Sequence, residues 1–428
     1  MLDALAAPAT DDEPRYRVRV VDAEVQRLLA AFGGVLIEGP KWCGKTWTGR
    51  HHARSAIYVD DDTTRQRAVL TPRAVLTGAT PMLVDEWQDV PGLWDTARRI
   101  IDEQSEPGQF IFTGSAVPLR QATSHTGTGR FARLRMRPMS LVESGESSGA
   151  VSVARLMKGE TIDPTASRLD YSETVRLICR GGWPASVGRP DDQALLLPRQ
   201  YLRSVAESDL TRADGIGRKP SRVMAVLRSL ARNTSTTASS TVLMNDLHAL
   251  EGPVSMPTLR SYAAALDRIF VVEDLPAWRY SLRSKTQLLL SSKHHFADPS
   301  LAVAALNASP AALLNDPMTT GFLFESLCVR DLRIYAQANQ ADVFHYRDKK
   351  DLEADVIVQG MDGAWGAVEV KLGHQQTDAA AATLLRLKDK LSAEVQAPAF
   401  LMVLVATGGV AYTRADGVHV VPLDCLGV

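Results

Sequence analysis

The chain has little cysteine, no long hydrophobic run and almost no net charge. Its four cysteines, Cys43, Cys179, Cys328 and Cys425, are widely spaced and form no CxxC pair. That spacing argues against a disulfide framework or a zinc knuckle and fits a reducing compartment. No stretch approaches the roughly 20 apolar residues that a membrane span requires, so no membrane partner is expected. The N-terminal "MLDALAAPATDDEPRYRVRV" is acidic early and has no uninterrupted hydrophobic segment. It reads as a short disordered lead, not a signal peptide, and the expected location is the cytoplasm. With 48 Lys+Arg against 49 Asp+Glu, the net charge is −1. No overall basic field advertises nucleic acid, although a local basic face is compatible with that total. Internal repeats and low-complexity tracts are also absent.

What the chain does have is length and alternation. At 428 residues it exceeds one ordinary core, so two or three domains are expected. "GVLIEG", "AIYVDDD", "PMLVDEW" and "QFIFTGS" each read as a buried strand ending in polar or small residues. Segments such as "GLWDTARRIIDEQ" lie between them with apolar residues at helical spacing. Strand–helix alternation implies an α/β fold with a parallel sheet covered on both faces. Ligands then gather at the carboxyl ends of the strands. "SGESSGAVSV", at 144–153, reads as a hinge after that sheet. A mostly helical stretch follows, and "LMNDLHALEG", "MPTLRSYAAALDRI" and "FVVEDLPAW" then suggest helix, turn, helix and a strand pair, the order of a winged helix. The last domain, with a helix around Glu325 and several strand-like runs, reads as a mixed α/β sheet.

"GPKWCGKT" matches G-x-x-x-x-G-K-[ST] directly behind a strand. Gly39 and Gly44 let the backbone turn, so that the amides of Gly39, Pro40 (which lacks an N–H), Lys41, Trp42, Cys43 and Gly44 form the walls of one concavity. Lys45 carries charge to the β and γ phosphates, and the Thr46 hydroxyl can ligate magnesium. In "PMLVDEWQDV" a strand ends in Asp85 and Glu86. Asp85 is placed to hold the magnesium shell and Glu86 to orient or deprotonate the attacking water; alone, the pair would read equally as a helix N-cap. ATP and Mg2+ are thus the expected ligands and ATP hydrolysis the expected activity. Thr113 and Ser115 end the next strand, either as a polar sensor of the γ phosphate or as a plain turn. Arg130 is the candidate transition-state arginine, from its own or a neighbouring subunit. Arg133, Arg135 and Arg137 follow at period two, and a solvated strand face is an equally good account of those three.

"EADVIVQGMDGAWGAVEVKLG" raises a second possibility. Residues i and i+2 share a face of a strand. A hairpin across "QGMDGAWG" would let Asp355, Glu369 and Lys371 converge, with Glu325 as a third carboxylate from a helix. Two carboxylates and a lysine suit metal-assisted phosphodiester hydrolysis. The same alternation also describes a hairpin with a solvated charged face.

These motifs together, with "GRFARLRMRPMSLVE", "RGGWPAS", "LRSYAAALDRIFVVEDLPAW", "ADPSL" and "FLFESL", resemble a widespread bacterial and archaeal family of AAA-type ATPases with a C-terminal domain of unknown function. The resemblance covers about residues 20–425. It implies an AAA-type P-loop ATPase core (20–150), a helical lid (151–235) and a winged-helix-like segment (236–290). A C-terminal domain similar to PD-(D/E)XK restriction nucleases (291–428) would follow, with Glu325, Asp355, Glu369 and Lys371 matching the nuclease-type pattern. Relatives often carry an apolar residue before the aspartate pair where this chain has "YVDDDTT", which leaves Asp61 and Asp62 without an assigned role. The implied partners are DNA, through the winged-helix-like segment with Arg260 and Arg268, or a protein bound by a catalytically silent C-terminal domain. A homo-oligomer is compatible with AAA-type relatives, but no oligomerisation signal is visible.

Overall fold

The computed structural model describes residues 16–115, 126–279 and 291–428. Residues 1–15 of the expected disordered lead lie outside them, whereas 16–20 are ordered within them, Arg19 being buried. The first sheet is built from β1 (Gly34–Glu38), β2 (Ser55–Tyr58), β3 (Met82–Asp85), β4 (Phe110–Gly114) and β5 (Phe131–Arg135). All five strands are parallel, in the order β2-β3-β4-β1-β5. Alternation of side chains sorts their residues onto two faces. Val35, Ile37, Leu83, Ile111 and Leu134 share one core with α1 (Asp22–Ala31), which contributes Val25 and Leu29. Leu36, Val84 and Phe112 share the other with α5 (Gly92–Gln104). That helix presents Leu93, Trp94, Ala97, Ile100 and Ile101, one apolar stripe at helical spacing. Trp94 stacks on Phe131 with ring centroids 4.0 Å apart. The parallel sheet covered on both faces is therefore present as expected.

The second sheet has seven strands. They are β7 (Thr165–Ala166), β8 (Ala341–Arg347), β9 (Glu353–Gly360), β10 (Trp365–Lys371), β11 (Phe400–Val405), β12 (Val410–Thr413) and β13 (His419–Pro422), in the order β7-β12-β13-β11-β10-β9-β8. It is mixed, with β10, β11 and β13 parallel and the flanking strands antiparallel. The long helix Pro317–Ala338 lies on one face, where Phe324, Leu327 and Tyr335 join Val368, Met402 and Leu404 in one core. Helix Thr377–Leu391 covers the other through Ala381, Leu384 and Leu387. The middle helices Tyr171–Arg180, Pro220–Arg232, Ser240–Glu251 and Met256–Arg268 contribute to the same core as the long helix.

The Gly/Ser stretch does not hang free as a hinge. Ser147 Oγ donates to the Asp424 carbonyl at 2.9 Å and Ser148 N to the same oxygen at 2.8 Å. A short parallel pair then forms between β6 (Val151–Ser152) and β14 (Leu426–Gly427). β7, soon after, extends the C-terminal sheet beside β12. Glycine and serine content signalled backbone freedom; partners distant in sequence remove it.

Two of the recognised motifs meet in a buried ionic joint. Arg330, on the long helix, donates to Asp298 of "ADPSL" at 2.9 Å and to its neighbour Asp331 at 2.8 Å. Asp298 also accepts the Gly182 N–H of "RGGWPAS" at 2.9 Å, and Trp183 Nε1 donates to Ser300 Oγ at 2.9 Å. Asp331 accepts Leu141 N at 2.9 Å. This joint fixes the turn carrying Pro184 and Ala185, which line the cavity above the Gly39–Lys45 loop. After helices Ser240–Glu251 and Met256–Arg268, the chain makes antiparallel bridges Val272–Phe296 and Leu275–Lys293. The two helices occur in the order read, but two isolated bridges stand where the strand pair was expected. The pair is not a free wing, because Ala277 bridges His345 on the edge strand β8.

Candidate nucleotide site

β1 delivers the chain to Gly39, whose φ of 156° and close approach to β5 exclude a side chain: a Cβ there would lie 2.0 Å from the Met136 carbonyl oxygen. Trp42 at φ 63° and Gly44 at φ 105° complete a sharply turned loop. Gly44 is the N-cap of α2 (Lys45–His52) and supplies no side-chain cap. The first N–H groups of α2 are therefore left for a ligand, and an anion there is favoured by the helix dipole. Lys45 is buried, its Nζ donating to the Gly39 and Pro40 carbonyls at 3.0 and 2.8 Å. An ammonium has three donors, so one remains for an incoming phosphate. Beneath the loop, Arg19 donates to the Cys43 carbonyl at 2.7 Å, to the Arg137 carbonyl at 2.8 Å and to Glu143 at 3.0 Å. Sequence reasoning missed Arg19, because its partners lie far along the chain.

The carboxylates stand where strand ends meet that loop. Asp85 Oδ1 accepts from Thr46 Oγ1 at 2.9 Å and also from Thr113 Oγ1. Because β4 lies between β1 and β3, the hydroxyl at its end is interposed between loop and carboxylate. Glu86 takes a left-handed backbone, φ 51°, rare for a residue with a side chain and costing roughly 1–3 kcal/mol. It bonds Gln88 and accepts from Ser115 Oγ at 3.4 Å. Burial raises the pKa of both Asp85 and Glu86, with the Lys45 charge working against that rise. A cavity of about 660 Å³ opens over these groups, lined by Lys41, Trp42, Lys45, Thr46, Trp47 and Glu86. Two of the lining residues tie the loop to the helical middle. Lys41 Nζ lies 2.7 Å from Asp209 Oδ1, and Trp42 sets its edge against Tyr201 at 5.6 Å.

Arg130 is not brought to this loop. It precedes β5 at the edge where β1 begins, its carbonyl accepting Gly34 N at 3.1 Å. Five residues of strand, about 16 Å, separate that edge from the phosphate loop. Its guanidinium pairs with Asp102 at 2.8 Å instead. Nor do the arginines that follow simply line a solvated face. Arg133 pairs with Glu38 at 3.1 Å, while Arg137 binds Glu273 through two nitrogens at 2.7 and 3.0 Å. Arg135 and Arg333 approach the same carboxylate. Burial would raise the Glu273 pKa, but Arg137, Arg333 and Arg135 hold it well below the usual range. A depressed carboxyl stabilises the fold above its unfolded pKa, and that stabilisation is lost as pH falls through the folded value. Thermal melts should accordingly show Glu273→Gln far below wild type at neutral pH, with the gap narrowing as pH falls below about 4.3. Asp61 N-caps the helix Asp62–Leu70 by accepting Thr64 N at 2.7 Å, and Asp62 pairs with Arg65.

In the C-terminal sheet, β9 and β10 form the expected hairpin, with Trp365 opposite Gln359. Lys371 Nζ lies 2.7 Å from Glu369 Oε2 and 3.7 Å from Asp355 Oδ2. Glu325 approaches from the long helix, but two further residues, Lys293 and Glu353, enter the same cluster. In sequence, Lys293 of "SSKHHF" looks like any surface lysine. The fold buries it, with its backbone bridged to Leu275 and its ammonium among the carboxylates.

Residues 32–144 match a family described as an AAA domain. Residues 172–312 and 320–426 match two domains of unknown function, DUF8612 and DUF4143. The uncharacterized proteins Mb2031c of Mycobacterium bovis and Rv2008c of Mycobacterium tuberculosis are each 23% identical over 343 residues, 79% of this chain and 70% of theirs. Among solved structures, the Walker-type ATPase PABY2304 of Pyrococcus abyssi superposes with TM-score 0.39 at 11% identity, covering 66% of this chain and 94% of that one. The FIGL-1 AAA domain in complex with ADP gives 0.23 at 16%, covering 59% and 85%. Superpositions this loose add nothing to the site. Among the described residues no helix is long and apolar enough to cross a membrane. The AAA-domain match over residues 32–144 falls on the parallel sheet, the P-loop and the Asp85 strand end just described, and the DUF4143 match at 320–426 falls on the C-terminal sheet.

Proposed function

We propose that the chain binds and hydrolyses ATP at the Gly39–Thr46 loop and passes the nucleotide state to its helical middle. The observation that carries this reading is the contact of Asp85 with both Thr46 and Thr113 at the mouth of the loop. A hydroxyl and a carboxylate already in contact fit a magnesium ion, which when bound neutralises charge on the phosphates. The amides around Gly39–Gly44 and the first turn of α2 bind the phosphate oxygens, and Lys45 adds its charge. Glu86, held beside Ser115, orients the attacking water and takes its proton; burial raises its affinity for that proton. Thr113 and Ser115 bracket the two carboxylates. Arg130 can reach a phosphate only in a second copy of the chain, so any arginine contribution belongs to a homo-oligomer.

Titration calorimetry of the intact protein with ATP and magnesium tests the proposal. Absence of both heat and thermal stabilisation would remove it. Glu86→Gln should keep ATP affinity within a few-fold while turnover falls by about 10²–10⁴-fold, the range for loss of a general base. Equal losses in both would assign Glu86 to binding.

The middle segment is the first receiver of the nucleotide state, since Lys41 and Trp42 touch Asp209 and Tyr201. For the C-terminal region, a silent module that engages a protein partner is favoured over DNA engagement. The helix Met256–Arg268 buries Leu259, Tyr262, Ala265 and Leu266 in the core, and Arg268 lies 3.6 Å from Asp214. Only Arg260 of the two expected phosphate contacts is exposed without an ion pair among the described residues. DNA titrations at low and moderate salt discriminate, because phosphate contacts weaken steeply with salt. Salt-sensitive affinity would restore the DNA reading.

A further inference from the structure

The nuclease-type resemblance implies a divalent cation among Glu325, Asp355 and Glu369, and the side chains present do not fit one. Lys293 Nζ sits among the carboxylates, 2.8 Å from Glu353, 2.9 Å from Glu325 and 3.4 Å from Asp355. A calcium- or magnesium-like ion would need such oxygens at about 2.0–2.6 Å around its own centre. Ammonium and metal therefore compete for one place. Lys371 occupies the other side, against Glu369 and Asp355. Asp355 Oδ2 is committed further, accepting Val370 N at 2.8 Å. Among the described residues, no three His, Cys, Asp or Glu side chains are arranged to hold a metal ion.

Lys293 is held there by its backbone as well as its charge. Its N–H donates to the Leu275 carbonyl at 2.9 Å and its carbonyl accepts Leu275 N at 2.8 Å. The next two residues are anchored too: His294 N donates to the Thr236 carbonyl at 2.9 Å, and His295 Nδ1 lies 3.2 Å from Ser326 Oγ. The Lys293 side chain is only 3% exposed. We infer that Lys293 is the resident cation of this cluster, tying the segment around residue 293 to the C-terminal sheet in the place where a nuclease-type site would bind metal. The consequence is a domain whose carboxylates are structural, with Lys293 filling the space between them.

Manganese alone, without nucleotide, is the probe. Calorimetry and thermal melts on wild type and Asp355→Asn should show no manganese binding that depends on Asp355. Lys293→Ala and Lys293→Met should open the site, binding about one ion per chain with a metal-dependent rise in Tm. Adding Asp355→Asn to either should abolish that gain. Wild-type binding that Asp355→Asn removes would overturn the inference. So would Lys293 variants that fold yet gain no site. If neither variant folds, the wild-type and Asp355→Asn comparison decides alone.

Discussion

Lys45→Ala is expected to lower ATP turnover by about 10²–10³-fold or more, the usual cost of removing one preorganised donor from a developing charge. A thousand-fold loss corresponds to about 4 kcal/mol of barrier. The reason is local and geometric. Lys45 is buried at the head of α2, and two of its donors are fixed by the Gly39 and Pro40 carbonyls. The other basic residues lining the cavity are engaged elsewhere: Arg19 is spent beneath the loop, Lys41 is paired with Asp209, and Arg17 reaches the Val187 carbonyl at 3.4 Å. The fold should survive, since the alanine keeps its helical position at the start of α2. Circular dichroism and melting without nucleotide should match wild type, while ATP-dependent stabilisation disappears. Undiminished turnover in Lys45→Ala would place hydrolysis elsewhere.

Arg330→Ala is expected to have the largest effect on stability. The substitution leaves the side chains of Asp298 and Asp331, each 0% exposed, without their shared cation. Breaking a buried ion pair from one side typically costs 3–5 kcal/mol, because the orphaned charge stays buried. Native domains hold only about 5–15 kcal/mol in total, so this variant should be near unfolding at ambient temperature. Urea denaturation measures the loss directly. A change below 1 kcal/mol would mean that water or another cation reaches the aspartates. The effect should extend to the nucleotide site, since Gly182 and Trp183 hang on the same joint while Pro184 and Ala185 line the cavity.

The parts of the molecule that were legible in sequence are those specified within a few residues. "GVLI" alternates apolar residues that must face two cores, and the glycines of "GPKWCGKT" announce a turn that a Cβ would block at Gly39. Asp85 at a strand end beside a glycine loop needed only the parallel-sheet rule. Whether Arg130 could reach the loop within its own chain was not legible, because the edge of the sheet on which a residue lies depends on strand direction and order. Arg137 and Glu273 could not be paired from spacing, being 136 residues apart. Lys293 is the sharpest case: composition cannot distinguish an exposed lysine from one that fills a carboxylate cage. Conversely, the serines at 147 and 148 looked mobile because their acceptor at Asp424 lies in another part of the chain.

That last seam bears on how the molecule is made. Ser147 and the Asp424 carbonyl are 277 residues apart, and contacts of such separation form late because loop closure must precede them. During synthesis the ATPase sheet can assemble long before its outgoing segment finds a partner, and domains generally fold as units in that order. The strand at 151–152 stays an open edge until residue 426 leaves the ribosome. Nascent chains stalled before that point should be cut by protease near 145–152, and released chains should resist.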